Sequence, residues 1–174
     1  GANKPGTHAQ NVVVGRDFEV DDYLDVVVVR EGDPCPACGT GLKLDRAIES
    51  LRRTGAAPLL AICVKPQALF PEADQDKPHP RDYAAWEDLV RRMVEHCNRE
   101  KGYGIRYWEV FNEPEIGEMG GCPSRFLKAE DYCRFYEHTA RAVLRGDPEA
   151  RVGGPASAIC DFSRSHVHPL IEHC

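Results

Sequence analysis

Residues 42–174 of this chain predict an α/β fold built on a parallel sheet. Segments with helical spacing of apolar residues alternate with short apolar or aromatic runs that suit buried strands. Such an alternation is typical of parallel strands joined by helical crossovers. A doubly wound sheet and a (β/α)8 barrel both fit the pattern. Because a complete barrel needs about 250 residues, a barrel in this chain would be an incomplete one.

The first helix and the first strand follow directly after residue 42. Apolar residues fall on one helical face at Leu44, Ile48 and Leu51. Gly55 ends this helix, since glycine suits the left-handed turn that closes many helices. The next run, PLLAICV over residues 58–64, is apolar throughout and predicts a buried strand.

The second helix has the clearest periodicity in the chain. Asp82 suits its N-cap, because an aspartate side chain accepts hydrogen bonds from the first free backbone amides. The apolar positions recur at helical spacing and are Trp86, Leu89, Val90, Met93, Val94 and Cys97. Gly102 and Gly104 follow as end signals. We therefore expect one face of this helix to lie in the core.

Two further strands and two further helices complete the alternation. Arg106–Phe111 is rich in Tyr, Trp, Val and Phe, which favour the extended conformation. A short strand over Arg151–Gly153 and a helix over His166–His173 come later. Between these strands, a third helix ends at Gly146. Its predicted apolar side comprises Tyr132, Cys133, Tyr136, Ala140, Val143 and Leu144.

Residues 1–41 form, by our prediction, a separate and small irregular piece with some β structure. Val26–Val29 is its clearest strand signal, and a cluster of Gly, Pro and Cys over residues 32–41 predicts turns. Cys35 and Cys38 have the spacing of half a zinc site, but a structural zinc needs four ligands and no second pair follows. A tight turn with free thiols and a local redox pair are the alternatives, and we expect no cofactor.

Composition argues against several classes of protein. The net charge of −6 does not indicate a nucleic-acid or membrane partner, and no run of 18 apolar residues predicts a transmembrane helix. Six of the eight cysteines are scattered singly, which suits small buried side chains. We therefore expect reduced thiols and a cytoplasmic chain. A first residue other than Met predicts a piece of a longer chain or a processed product.

The candidate site lies where the second strand ends, at Asn112-Glu113-Pro114. Catalytic groups of α/β barrels lie at this end of the strands. Alternation places Glu109, Phe111 and Glu113 on one strand face. Four residues of strand span roughly 13 Å, whereas two carboxyl groups that act together on one bond of a sugar substrate, the chemistry that this site suggests, lie about 5–9.5 Å apart. Glu109 is therefore not the partner of Glu113, and a second carboxylate must come from another strand.

Two segments, WEVFNEPEIG and AEDYCRFYEHTARAVLRGDPEARVGGPAS, resemble glycoside hydrolase family 39 between its fourth and fifth strands. LDRAIESLRRTGAAPLLAICVKPQALFP and RDYAAWEDLVRRMVEHC extend the resemblance back to about residue 42. It implies about strands 3–5 of a (β/α)8 barrel, a retaining hydrolase of the β-xylosidase or α-L-iduronidase type, and a carbohydrate substrate. It also implies that Glu113 is the general acid/base and that Asn112 holds the sugar 2-hydroxyl. Phe111 stands where the family commonly has Trp, and we expect it in the substrate-binding site.

Three further expectations follow from the same reading. Lys65 ends the first strand and would lie at the same sheet edge as Glu113, as a sugar-binding residue or as a solvated rim lysine. The family's nucleophile is expected on a seventh strand that the chain lacks. Asp161 is the nearest substitute, although a surface loop aspartate is the simpler interpretation. A partial barrel leaves sheet edges open, which predicts self-association.

Residues 1–49 resemble a different family. GANKPGTH, VGRDFEV and VREGDPCPACGTGLKLDRAIE are similar to the insertion domain of bacterial prolyl-tRNA synthetase where it returns to the catalytic core. No class II catalytic motif accompanies them. The two resemblances meet at LDRAIE, which favours a chimeric chain. The function hypotheses are thus a retaining glycosidase fragment, a non-catalytic α/β fragment and a synthetase remnant.

Overall fold

The computed structural model describes residues 44–72, 74–120, 122–159, 161 and 164–174. The N-terminal piece with Val26–Val29, Cys35 and Cys38 lies outside them, so its strand and its metal candidates stay predictions. Within the described part, the predicted alternation is confirmed. The main elements are α1 (Leu44–Arg53), β1 (Leu59–Ile62), α2 (Tyr83–Glu95), β2 (Tyr107–Val110), α3 (Ala129–Gly146), β3 (Arg151–Gly153) and α4 (Val167–His173).

The three strands form one parallel sheet in the order β1-β2-β3, as the alternation predicts. Tyr107 pairs with Leu59 on one side and with Arg151 on the other. The middle strand β2 is therefore the only one of the three with a hydrogen-bonded neighbour on both sides among the described residues. Its carboxyl end lies between those of β1 and β3, which is where Glu113 follows.

The two faces of the sheet have different surroundings. Trp108 and Val110 are buried on the face against which α3 packs, and α2 packs on α3. On the other face, 58% of Leu59 and 43% of Tyr107 are exposed. Trp108 thus lies under a helix, opposite to Glu109. The self-association expected from such an open sheet stays a prediction.

Helix α2 follows its sequence pattern closely. Asp82 Oδ1 accepts hydrogen bonds from the backbone N–H groups of Ala84 at 2.8 Å and Ala85 at 3.3 Å. Such an N-cap stabilises a helix by about 1 kcal/mol. Every predicted apolar position is buried, with Cys97 in the π-helical turn His96–Glu100 that follows. Trp86 Nε1 donates to Thr139 Oγ1 at 2.9 Å and ties α2 to α3.

The buried side of α3 differs from the prediction. Tyr132, Cys133 and Val143 are buried as expected, but Leu144 is 44% exposed. Further buried positions are Phe135, Thr139, Ala142 and Gly146. The reason is that α3 contacts both the sheet and α2, so its buried surface is centred between the two and not on a single stripe.

One cysteine pair corrects the expectation of reduced thiols. Cys63, directly after β1, forms a disulfide with Cys122, and their Cα atoms are 6.2 Å apart. Cys97 and Cys133 are free and buried, in agreement with their prediction as small buried side chains. Across the described residues, no helix is both long and apolar enough to span a bilayer.

Candidate functional site

The exit of β2 has an unusual backbone. The strand ends at Val110, one residue earlier than predicted, and Phe111 and Glu113 both have positive φ, at 69° and 46°. Non-glycine residues rarely adopt this region, and the cost is of order 1–3 kcal/mol each. Neighbouring bonds hold the conformation, since Asn112 bridges to Ala156 and Glu113 N donates to Ala156 O at 2.8 Å. Glu113 is thus anchored through its backbone.

Phe111 does not share a face with Glu109, contrary to the alternation predicted for it. Its ring is 1% exposed and packs edge-on against Phe126 at 5.2 Å and Phe135 at 6.0 Å between centroids. The left-handed conformation at Phe111 breaks the strand alternation and turns the ring into the core. Its contact with a sugar stays a prediction.

The carboxyl group of Glu113 carries no hydrogen bond from any residue of the described part. The residue itself is half-buried. Glu113 O accepts from the N–H groups of Ile116 at 3.1 Å and Gly117 at 3.2 Å, which starts the 3-10 turn Gly117–Gly120. This turn folds back so that Gly120 lies against the Glu113 side chain. The turn therefore covers one side of the Glu113 carboxyl group, whose hydrogen-bonding capacity is free.

Glu115 is held in place by several donors. Ser157 Oγ donates to Glu115 Oε1, and the backbone N–H groups of His166 and Ala158 approach its two oxygens at 3.3 and 3.4 Å. His166 in turn contacts Phe126 O through Nε2 at 2.7 Å. Glu115 therefore ties the segment after β2 to the segment after β3. The sequence left its direction open, because Pro114 interrupts the strand.

Lys65 lies inside the protein, not at its rim. It is 6% exposed, and its Nζ donates to Asp74 O at 2.5 Å. Burial lowers the pKa of this ammonium group, against the opposing charges of Asp74 and Glu118 among others. This bond gives Lys65 a role in shaping the loop after β1. The sugar-binding role expected for it stays a prediction.

Two loops at this end of the sheet are joined to each other. The β1 loop comprises the described residues 63–72 and 74–76, and the β2 loop comprises 113–120 and 122–126. Gln75 accepts from Glu118 N at 3.1 Å through Oε1 and from Arg125 N at 2.7 Å through its carbonyl. Arg125 also forms a two-pronged ion pair with Asp76, at 2.7 Å for both contacts. With Cys63–Cys122, these bonds fix one loop against the other.

The remaining candidates contribute less to this site. Glu109 lies half-buried on the open face of the sheet, where burial raises the pKa of its carboxyl. Asp161 O accepts from Arg164 N at 3.0 Å and Ser165 N at 2.9 Å in the turn before α4. Its role as a nucleophile is untested. Over the described ranges, no group of three or more His, Cys, Asp or Glu side chains is arranged to hold a metal ion.

Sequence reasoning missed the residues that shape the site, namely Gln75, Asp76, Arg125, Ser157 and Gly120. Gly120 is close to Glu113 in the sequence, but the partners of the other four are far away in the chain; Asp76 and Arg125, for example, are 49 residues apart. No local spacing signals such pairs. The turn GGPAS was visible, but its use as a support for Glu115 was not.

Comparison with known proteins places the chain in context. The family model described as "Glycosyl hydrolases family 39" matches residues 23–174. A β-xylosidase of Geobacillus stearothermophilus is 31% identical over 141 residues, which cover 75% of this chain and 27% of that protein. The proline–tRNA ligase 1 of Streptomyces avermitilis is 86% identical over 49 residues, 28% of this chain and 9% of that protein.

Two solved structures with similar folds are glycosidases. A glucosidase from Croceicoccus marinus matches with a TM-score of 0.56 and 23% identity, over 79% of this chain and 28% of that one. A monomeric β-xylosidase from Caulobacter crescentus matches with a TM-score of 0.54 and 26% identity, over 68% and 26%. The chain thus spans about a quarter of the length of these glycosidases. It also joins sequence from two families, as its two resemblances predict.

Proposed function

The chain belongs to family 39 of the glycosyl hydrolases, and from that premise we propose that it carries the acid/base half of a retaining glycosidase site. Glu113 is the acid/base in this proposal. The observation that carries it is the state of this carboxyl group at the exit of the middle strand. It is half-buried, its backbone is anchored, and no described residue uses its hydrogen-bonding capacity.

The chemistry has two steps. In the first, the Glu113 carboxyl gives its proton to the glycosidic oxygen as the bond from that oxygen to the sugar C1 breaks. A second carboxylate, about 5–5.5 Å away, bonds to C1 and forms a glycosyl ester. In the second step, water attacks C1, the bond from C1 to the second carboxylate breaks, and the Glu113 carboxylate takes a proton from that water. The second carboxylate is not assigned to any of the described residues.

Asn112 is the proposed sugar-binding neighbour. Its backbone bridges to Ala156, so its position relative to β3 is set. The side chain is half-buried and offers both a donor and an acceptor. We assign it to the hydroxyl group next to the anomeric carbon, as the family resemblance implies.

A β-xyloside is the proposed substrate. The support is that two relatives, one from Geobacillus stearothermophilus and one from Caulobacter crescentus, are β-xylosidases. The ligase match does not favour a rival function, because it spans 9% of that ligase. On the proposed boundaries, residues 1–41 derive from the synthetase and residues 42–174 from the glycosidase.

Two substrates and two variants test the proposal. An alkyl β-xyloside needs a proton on its leaving oxygen, whereas a dinitrophenyl β-xyloside releases a stable anion without one. Because the second carboxylate is not assigned within the described residues, azide is added as the attacking nucleophile. We expect Glu113→Gln to slow cleavage of the alkyl substrate about 10²–10⁴-fold. In the same variant, the rate of dinitrophenolate release in the first turnover falls much less. Glu118→Gln is the matched control, since Glu118 is exposed in the same loop.

Binding is measured separately by NMR, from the side-chain amide of Asn112 during titration with the alkyl β-xyloside. Glu113→Gln retains this binding if Glu113 acts in the chemistry. Equal losses on both substrates, or a wild-type chain that neither binds nor hydrolyses them, would contradict the proposal.

A further inference from the structure

Gly120 is in an unusually close contact with the proposed acid/base. A Cβ atom placed on Gly120 would lie 2.8 Å from Glu113 Cβ and 3.1 Å from Glu113 Cδ, and would overlap Oε2. Real Cβ atoms essentially never approach other heavy atoms within 3.0 Å. Any residue other than glycine therefore requires a shift of the Glu113 side chain or of the turn that carries position 120.

The backbone of Gly120 does not itself require glycine. Among the described residues, five other glycines have positive φ, including Gly117 at 55°, but Gly120 does not. An alanine at position 120 would adopt the same backbone without conformational strain. Within the described structure, the contact with Glu113 is therefore what leaves no room for a side chain at this position.

The turn Gly117–Gly120 has little freedom to retreat from Glu113. Its first residue is bonded to Glu113 O, and Glu118 N donates to Gln75 Oε1 at 3.1 Å. Cys122 N donates to Gly117 O at 3.1 Å, and Cys122 is covalently joined to Cys63 at the exit of β1. The turn Gly117–Gly120 beside Glu113 is therefore held by bonds to the loop after β1 as well as by bonds within its own loop.

We propose that Gly120 is a positioning residue for Glu113. Its bare Cα lets the anchored turn close against the carboxyl group and sets the direction in which that group points. This inference rests on the proposed function of Glu113 as the acid/base. Direction matters because a displacement of about 1 Å of a reacting group can slow catalysis about 10²-fold.

Gly120→Ala and a matched control variant test the proposal. Gly153→Ala is the control, because a Cβ there meets nothing within 4 Å and Gly153 has no positive φ. We expect Gly120→Ala to lower kcat on the alkyl β-xyloside about 10–10²-fold with little change in KM. The effect on dinitrophenolate release is smaller. A general loss of folded protein would lower both rates equally.

A second readout does not depend on catalysis. The ¹³C resonance of the Glu113 carboxyl group, assigned by its loss in Glu113→Gln, is compared among the variants at fixed pH. We expect it to move in Gly120→Ala and to stay in place in Gly153→Ala. Gln75→Ala is the substitute if Gly120→Ala does not fold. It adds no atoms and removes the acceptor of Glu118 N, so we expect a smaller shift of the Glu113 resonance.

The outcomes separate the two proposals. A resonance that does not move in Gly120→Ala, or in Gln75→Ala where that variant replaces it, overturns the positioning role. Equal loss on both substrates overturns it as well. If Glu113→Gln fails to impair hydrolysis, the acid/base proposal is wrong, while a moved resonance still supports Gly120 as the residue that places Glu113.

Discussion

Glu113 and Glu115 are two residues apart on either side of Pro114, yet their environments are opposite. The carboxylate of Glu115 is held by Ser157, Ala158 and His166, whereas that of Glu113 receives no hydrogen bond from the described residues. These hydrogen bonds hold the Glu115 side chain in place and leave its carboxylate little capacity to bind a ligand. The comparison teaches that bonding state, and not position at a strand end, distinguishes a structural carboxylate from one available for chemistry.

The largest effect is expected at Phe111, the buried residue at the strand exit that precedes both glutamates. Phe111→Ala leaves a cavity among Phe126 and Phe135 and should lower the free energy of unfolding by about 3–5 kcal/mol. Denaturant unfolding measures this loss. Met119→Ala is the control in the next loop, since Met119 is 89% exposed. A loss below 1 kcal/mol in Phe111→Ala would show that the ring is not packed as described.

The second effect separates the glutamates because the disulfide holds the turn beside Glu113, whereas the donors to Glu115 come from the segment after β3. Replacing both Cys63 and Cys122 by Ala removes a cross-link between residues 59 apart, which stabilises by about 2–4 kcal/mol. We expect this loss of unfolding free energy, together with a moved Glu113 carboxyl resonance. The Glu115 resonance stays in place. Equal movement of both resonances would contradict the separate support of the two groups.

The third prediction compares the glutamates directly. Glu115→Ala leaves the donors of Ser157, Ala158 and His166 without their acceptor and should cost about 2–3 kcal/mol of unfolding free energy. Glu113→Ala removes no hydrogen bond from its carboxyl group and stays within about 0.5 kcal/mol of the wild type. Chemical denaturation of both variants under one set of conditions gives the two values. A reversed order would refute the comparison.

The smallest effect on stability is expected at Glu109, a third glutamate that we compare with Glu113 and Glu115. Burial raises the pKa of this carboxyl above its ordinary value, so the folded state favours the neutral form. Its contribution to stability is therefore full at low pH and is lost as pH rises through the folded pKa. Glu109→Gln should unfold at a higher temperature than the wild type at pH 7 and at the same temperature near pH 3. Thermal melts across this range test the sign.

The sequence predicted those parts of the fold that depend on local patterns. The spacing from Trp86 to Cys97 identified α2 and its buried face, and Asp82 identified its cap. The alternation of helices and strands identified the parallel sheet, and the strand exit identified Asn112 and Glu113 as candidates. Each of these features depends on neighbours in the chain, which is why periodicity and propensity suffice.

The site's supports could not be predicted in this way. Glu115 and Ser157 are 42 residues apart, and Cys63 and Cys122 are 59 apart, so only the folded chain brings them together. Phe111 was placed on the wrong face because a single left-handed residue interrupts strand alternation. An aromatic residue gives no sign in the sequence that it will adopt such a conformation.

The bonds between the β1 loop and the β2 loop have a consequence for protein engineering. Transplanting either loop alone into another protein would separate Cys63 from Cys122 and Asp76 from Arg125. The recipient protein would then carry a cysteine without its disulfide partner and a charged side chain without its ion-pair partner. A designer who wishes to move this rim between scaffolds, or to insert residues into it, therefore has to treat the two loops as one inherited module.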